Sequence, residues 1–197
     1  MTPLYINPDP QEWTLAVDEH QQIVLVFNTA QSEPVNLKVY LQGQGASLEI
    51  LGVIALSTPH VLQCTIEVVH AAPNTISKII LASVLKGEAA QEVKGKIVIQ
   101  KGAKGADGFL SHRTLTLSSH AKSITIPSLE IEEEDVKAGH EGVTGPVDQQ
   151  QLFYLHTRGL DQASAQELVV EGFLSTVIGK IKDASIKEQV TALCHSI

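Results

Sequence analysis

The sequence is poor in residues on which several protein classes depend. Its 197 residues include 2 cysteines, 1 methionine and 1 tryptophan, and aromatic residues make up 4% of the chain. Cys64 and Cys194 are far apart and form no CxxC pair, so neither a disulfide framework nor a zinc site is indicated. Both cysteines are expected to be reduced thiols.

Basic residues and long apolar runs are scarce as well. The formal net charge is -8 at pH 7, and no lysine or arginine cluster offsets it locally, so phosphate backbones and anionic lipids would be repelled. Apolar runs such as 23–27 and 79–85 are too short to cross a bilayer, and residues 1–9 do not resemble a signal peptide. We expect a cytoplasmic protein that binds neither nucleic acid nor membranes.

Signatures of common enzyme classes are missing. Gly95 and Lys96 match part of a Walker loop, but the first glycine and the terminal Ser or Thr that would hold phosphate and magnesium are absent. GxSxG, HExxH and GxGxxG in strand-to-helix context are absent too. The chain is therefore expected not to be an enzyme.

The dominant pattern that is present is alternation of apolar and polar residues, from about residue 20 to residue 135. Turn residues interrupt this alternation at fairly even intervals, at 43–45, 72–74, 86–88, 101–105 and 118–120. With 43% hydrophobic and 18% charged residues, the chain is expected to be folded. The spacing fits a sandwich, a barrel or a stacked β-solenoid, and periodicity alone does not choose among them.

Near residue 148 the period becomes helical. Asp148 is predicted to cap a first helix that ends at Arg158 and Gly159, Asp161 to cap a second, and a third is expected over about 184–194. The predicted apolar stripe of the second helix consists of Ala165, Leu168, Val169, Gly172, Phe173 and Ile178. Strands first and helices last indicate a mainly β core at 1–147 and a helical subdomain at 148–197. Three short helices have little of their own to bury, which favours an interface.

Histidines and acidic residues are the candidate metal ligands. The histidines expected at turns or strand ends are His60, His70, His112, His120 and His140. Most of them are expected to be hydrogen-bonded turn residues. His140 beside Glu141 is the exception, because imidazole and carboxylate both bind iron and glycines flank the pair. The acidic run 132–135 lacks EF-hand spacing and is expected to be a solvated turn.

Six motifs follow one another in a recognisable order. They are HAAPNTIS (70–77), GKIVI (95–99), LTLS (115–118), IPSLEI (126–131), DVKAGHEGVTG (135–145) and QLFYLHTRGL (151–160), with Gly172 and Phe173 further on. In this order they closely resemble the SufB/SufD family of iron–sulfur cluster assembly scaffolds. That family reads roughly H-x-A-P-x-T-x-S, G-K-I, L-L-L-S, P-x-L-E-I, D-V-K-C-S-H-G-A-T-V-G and L-F-Y-L-x-S-R-G-I.

The resemblance implies a shortened SufD-like member with a right-handed parallel β-helix and a small C-terminal helical subdomain. In the family, that subdomain binds the ATPase SufC and the β-helices of two subunits pair. The implied partners are thus a SufC-like ATPase and a SufB/SufD-like paralogue or a second copy, giving a dimer. The partner-binding residues carried over are Leu152, Phe153, Tyr154, Leu155, Arg158, Gly159 and Phe173.

Two departures from the family pattern limit this comparison. The N-terminal helical domain and the longer β-helix of full members are not expected within these 197 residues, and Ala138 stands where the family has a cysteine, whereas the histidine is retained as His140. Iron–sulfur ligation normally relies on thiolates. The implied cofactor is a transient iron–sulfur cluster or iron, with His140 and Glu141 as candidate ligands. Cys64, mid-strand on the apolar side, is expected to be a buried structural thiol.

Two other functions remain open at this point. The first is a structural or regulatory β-helix protein that dimerises through its edges and holds no cluster, which the missing thiolate favours. The second is a β-solenoid enzyme acting on polysaccharide. Such enzymes present aromatic platforms along a sheet, whereas aromatic residues are only 4% of this chain.

Overall fold

A computed structural model describes residues 4–6, 11–28, 34–57 and 59–194. Parts of the N-terminal stretch discussed above and the side chain of Cys194 lie outside this description. The strands are β1 (Leu4–Ile6), β2 (Gln11–Leu15), β3 (His20–Phe27), β4 (Val35–Leu41), β5 (Ser47–Leu56), β6 (Val61–His70), β7 (Ile76–Leu85), β8 (Ala90–Ile99), β9 (Asp107–Thr116), β10 (Lys122–Ile131) and β11 (Lys137–Pro146). The helices are α1 (Gln149–Thr157), α2 (Gln162–Ile178) and α3 (Ala184–Cys194).

The strands form two parallel sheets between which the chain alternates. Sheet A has the order β1-β3-β5-β7-β9-β11, and sheet B has the order β10-β8-β6-β4-β2. Two consecutive strands therefore make one rung of a coil, and each rung stacks on the one before it. This arrangement is a parallel β-helix, which confirms the predicted fold class and rules out the sandwich and the barrel.

The alternation seen in the sequence builds the interior of the β-helix. Inward residues stack in columns across the rungs, because the strands pair in register. One column in sheet A consists of Ile23, Ile50, Ile79 and Leu110, each 1% exposed or less. Removing such side chains from water is the main force that holds the rungs together.

One corner of the β-helix is a stack of left-handed residues. Asp18, Gly45, Asn74 and Gly105 occupy equivalent turn positions in successive rungs, with φ of 52°, 73°, 57° and 73°. The amide of Asn74 donates to the carbonyl oxygen of Lys104 in the next rung at 2.9 Å. Glycine is favoured at 105 because a Cβ there would lie 2.5 Å from Asn74 Oδ1.

Helices α2 and α3 cover the outer face of sheet A. The residues that form this second apolar layer are Val24, Val26, Leu51, Val53, Ala82 and Val84 of the sheet with Val170, Leu174, Val177, Ile178, Ile181 and Val190 of the helical segment. The expectation that the helices have little to bury is therefore wrong, since β3, β5 and β7 of sheet A are apolar on both faces. Leu168, predicted to lie in the stripe, is 47% exposed, because the helix turns Val170 and Leu174 toward the sheet instead. In the described part of the chain, no helix combines the length and apolarity needed to span a membrane.

Candidate functional site

The β-helix ends in a rung with open edges. This terminal rung consists of β10 and β11, and among the described strands β10 pairs with β8 alone and β11 with β9 alone. The amide of Lys137 donates to the carbonyl oxygen of Ala106 at 2.9 Å, at the start of the ladder that joins β11 to β9. Since parallel strands direct alternate residues to alternate sides, the even-numbered N–H groups of β11 point to the open edge. These residues are Ala138, His140, Gly142 and Thr144.

Prolines remove N–H groups from the open edges without breaking the hydrogen bonds within the sheets. The amide of Lys122 donates to Ala89 at 3.0 Å, so the odd-numbered positions of β10, including Pro127, face its open edge. Pro146 occupies an open-edge position at the end of β11. A proline at such a position removes no ladder hydrogen bond. The run 138–144 of β11 is thus the longer uninterrupted stretch of open backbone.

The predicted ligands His140 and Glu141 lie inside strand β11, so the expected turn or strand-end location of His140 is wrong, and the two residues are on opposite faces of the strand. His140 pairs with Leu110 and faces inward, whereas Glu141 pairs with Ser111 and faces outward. Glu141 accepts a hydrogen bond of 2.6 Å from the Ser111 hydroxyl. The two side chains therefore do not converge on one ion. In the described residues, no group of three or more His, Cys, Asp or Glu side chains is arranged to hold a metal ion.

Helix α1 presents an exposed aromatic and cationic surface. Phe153 is 70% exposed and Tyr154 is 55% exposed. The guanidinium of Arg158 lies 5.0 Å from the centroid of the Tyr154 ring, within the range of a cation–π contact. We refer to Phe153, Tyr154 and Arg158 as the α1 surface.

The remaining predicted partner-binding residues have other positions. Leu152 is 5% exposed and belongs to a small core with Val147, Ala165 and Val169, and Leu155 packs against that core. Gly159, with φ of 93°, ends the helix as predicted. Phe173 is half-buried, and the guanidinium of Arg113 lies 5.9 Å from its ring centroid. These residues support the α1 surface and attach α2 to β9.

Hydrogen bonds hold α1 against the start of α2. Asp148 accepts from the amide of Gln150 at 2.9 Å, and Asp161 accepts from the amide of Ser164 at 2.8 Å, which confirms both predicted N-caps. The hydrogen bond from Ser164 lowers the pKa of Asp161. His156 Nδ1 donates to the carbonyl oxygen of Leu160 at 2.9 Å. No role is predicted for His156 from its sequence pattern, although its partners Leu160 and Gln162 lie only four and six residues further along the chain.

A buried glutamine fastens the other end of the helical segment. Gln22 of β3 is 2% exposed, and its Nε2 donates to the Lys180 carbonyl oxygen at 3.1 Å and to Glu49 Oε2 at 2.6 Å. The amide of Lys182 donates to Gln22 Oε1 at 3.0 Å. We call these contacts the Gln22 clasp. No sequence signal marks it, because its partners are 158 and 160 residues away.

The HAAPNTIS motif forms a chain of hydrogen bonds in the interior. Thr75 Oγ1 donates to the Ala72 carbonyl oxygen at 3.0 Å, so it accepts from His70 Nδ1 at 2.8 Å. His70 Nε2 then accepts from the Ser77 hydroxyl at 2.7 Å. Burial lowers the pKa of His70 to about 4, which keeps the ring neutral. The motif is thus accounted for by turn and core structure.

The expected location of His112 was wrong. It lies in the middle of β9, faces the interior and is 1% exposed. Its Nε2 lies 2.8 Å from the Ser83 hydroxyl, and burial lowers its pKa to about 4. The polar residues on either side of it, Ser111 and Arg113, interrupt the apolar pattern, so the sequence does not mark this position as the middle of a strand.

Two further predictions concern Cys64 and the acidic run. Cys64 is 3% exposed in the interior, and burial raises the pKa of its thiol to about 12, so the prediction of a buried structural thiol is confirmed. The acidic run lies in the turn between β10 and β11. Glu133 there accepts from the amide of Gly102 at 3.0 Å, and this hydrogen bond lowers its pKa.

Comparison with known proteins identifies relatives that match most of the β-helix and the first two helices. The family described as "SUF system FeS cluster assembly, SufBD core domain" matches residues 17–173. An iron–sulfur cluster assembly SufBD family protein of Mycobacterium bovis is 36% identical over 158 residues, covering 76% of this chain and 40% of the relative. One from Mycobacterium leprae is 32% identical over 166 residues, covering 80% of this chain and 42% of the relative. The chain thus spans about two fifths of the length of these relatives.

Proposed function

Because this chain belongs to the SufBD family of iron–sulfur cluster assembly proteins, we propose that it is a scaffold subunit rather than a catalyst. It binds a SufC-type ABC ATPase through the α1 surface and pairs with another SufBD-type chain through the terminal rung. The proposal includes a cytoplasmic location, where thiols such as that of Cys64 stay reduced.

The observation that carries the ATPase proposal is the exposure of two adjacent aromatic residues on an anchored helix. Phe153 is 70% exposed and Tyr154 is 55% exposed, whereas Leu152 beside them is buried. Aromatic residues and arginine are the side chains most enriched at the centres of protein interfaces. Since the Asp148 cap and His156 already fix the helix, little further conformational entropy is lost on binding.

Co-purification with a SufC-type ATPase tests this surface. Phe153→Glu is expected to weaken binding about tenfold or more, because it places a charge in an apolar contact. Val61→Glu is the matched control, since Val61 is 54% exposed but lies on sheet B. Equal binding by the wild type and the Phe153→Glu variant would refute the assignment of α1.

Pairing through the terminal rung follows from the open edge of β11. An exposed run of unpaired backbone groups is a template for another strand, and the partner that best continues a parallel β-helix is a second SufBD-type chain, either itself or a paralogue. Exposed apolar side chains lie on the same rung, with Ile126 at 43% and Val143 at 51% exposure. We expect a dimer.

Native mass measurement at several concentrations tests the pairing. Thr144→Pro removes one open-edge N–H group and leaves the ladder with β9 intact, so it is expected to shift the mass toward the monomer. Thr144→Val keeps the N–H group and serves as the control. A dimer that persists unchanged in Thr144→Pro would contradict edge pairing at β11.

A nascent iron–sulfur cluster would be the cargo of this scaffold. His140 lies at the open end, where a paired chain would have to supply the thiolates that Ala138 does not provide. Anaerobic reconstitution with iron and sulfide, with the chain alone and with its partner, tests this role. Visible cluster absorbance that disappears in His140→Ala would support it.

The divergence of His140 and Glu141, together with Ala138, favours a second candidate function. In that function the chain is a structural or regulatory dimeric β-helix that holds no cluster. Absence of cluster absorbance both alone and in the paired state, with the partner ATPase still bound, would select this candidate.

A further inference from the structure

In four columns of inward residues, the interior of the β-helix changes from apolar to polar toward its last rungs. In sheet A, the column of Phe27 and Ile54 continues as Ser83 and Thr114, and the column of Leu25 and Leu81 continues as His112. In sheet B, the column of Leu62 continues as Gln91 and Ser123, and the column of Val35, Cys64 and Val93 continues as Thr125. An apolar residue would fill each of these positions as it does in the earlier rungs. The polar residues therefore require a separate explanation.

These polar side chains are hydrogen-bonded to one another across the two sheets. His112 of sheet A lies between Ser83 Oγ, 2.8 Å from Nε2, and Thr125 Oγ1 of sheet B, 3.2 Å from Nδ1. Gln91 Nε2 donates to Thr114 Oγ1 at 3.0 Å and to Ser123 Oγ at 2.9 Å. Both Ser123 and Thr125 belong to β10. The terminal strand is thus attached by side chains as well as by its ladder with β8.

The location of this network at the open end of the β-helix explains why polar residues are favoured there. Ser123 and Thr144 line a groove of about 640 Å³ between the terminal rung and helices α1 and α2. Apolar side chains at the end of the column would be exposed there, since no further rung covers them. Hydroxyl groups can bond to the interior and tolerate water or a polar partner at the same time.

Thr125 also lies close to the strand with the open edge. A Cβ added to Gly142 of β11 would lie 3.2 Å from Thr125 Cγ2. Thr125 of β10 therefore faces both His112 of β9 and Gly142 of β11, which are cross-strand partners, so its hydrogen bond to His112 fixes β10 relative to the β9–β11 pair. We propose that the His112–Thr125 and Gln91–Ser123 hydrogen bonds position the terminal rung for pairing with a second SufBD-type chain. This inference rests on the pairing proposed above.

Replacing the Thr125 hydroxyl without changing its shape tests the inference. Thr125→Val restores the apolar column of Val35, Cys64 and Val93, so the fold should be kept. Loss of one hydrogen bond predicts about a fivefold faster amide exchange in peptides covering 122–131, and a similar weakening of self-association. The urea midpoint should change little. Thr125→Ser keeps the hydroxyl and should restore wild-type exchange and association.

Thr65→Val is the matched control, because Thr65 lies in the same sheet but faces outward. Wild-type exchange in Thr125→Val, or equal effects of Thr125→Val and Thr65→Val, would overturn the inference. Faster exchange with unchanged association would overturn the positioning role while leaving the pairing intact. A wild-type chain that is monomeric under all conditions and with any paralogue would refute the pairing itself, and this role with it.

Discussion

Acidification below about pH 6.5 is expected to destabilise this protein, because two histidines are buried in their neutral form. Burial lowers the pKa of His70 and of His112 from 6.5 to about 4. Between these pH values the unfolded chain binds more protons than the folded chain. The free energy of unfolding therefore falls as the pH decreases through this window, and the contribution is fully present only above it.

The size of the effect follows from the two pKa values. A shift from 6.5 to about 4 corresponds to ~3 kcal/mol per histidine when the pH lies below both values. Between pH 7 and pH 5, proton linkage predicts that the free energy of unfolding falls by ~2 kcal/mol per histidine, or ~4 kcal/mol for the pair. A loss of this size is a large part of the stability of an ordinary domain.

Urea unfolding between pH 8 and pH 4.5 measures this loss, with proton NMR of the imidazole groups as the direct assay of protonation. His112→Leu places in β9 the residue type found at Leu25 and Leu81 of the same column. It is expected to be less stable at pH 7 but to lose ~2 kcal/mol less than the wild type between pH 7 and pH 5. His120→Ala, in an exposed turn, is the control.

Two results would refute this reasoning. Folded-state imidazole resonances of His70 and His112 that titrate near pH 6.5 would show that burial does not disfavour the charged ring. A His112→Leu variant with the full pH dependence of the wild type would show that other groups cause the acid sensitivity.

Three further predictions concern the clasp, the glycines and the buried thiol. Gln22→Leu should lower the free energy of unfolding by ~2 kcal/mol and speed amide exchange over 180–183, because Lys180 and Lys182 lose buried partners; unchanged exchange there would contradict the clasp. Gly105→Ala, at φ of 73°, should lower the free energy of unfolding by ~1–2 kcal/mol, because the left-handed conformation is unfavourable for alanine. Gly172→Ala inside α2 should raise it by ~0.5–1 kcal/mol in the same urea assay, because glycine is unfavourable within a helix. Changes of the same sign in both variants would contradict this explanation from backbone conformation. Cys64 should resist thiol reagents at pH 8 until urea unfolds the chain, and rapid labelling of the folded protein would contradict its burial.

Local chemistry made several elements predictable from the sequence. Alternation marked the strands, because a strand with one buried face must place an apolar residue at every second position. Asp148 and Asp161 marked the helix starts, because an N-cap side chain satisfies amides only two or three residues away. The choice of a β-helix came from ordered motifs rather than from periodicity, since all sheets share a period of two. The domain boundary at residue 147 stays a prediction.

Local sequence patterns and ordered motifs thus suffice to predict the family, the strands, the helix caps and the burial of Cys64. The tertiary structure decided which rungs stack, and with them the polar columns around His112, the Gln22 clasp across 158 residues and the opposite directions of His140 and Glu141. The two kinds of interaction differ in how far along the chain they reach. Backbone geometry and capping act within a few residues, whereas the contacts that decide the interior join side chains such as His112 and Thr125, 13 residues apart, or Gln91 and Ser123, 32 residues apart, and no local pattern records their partners.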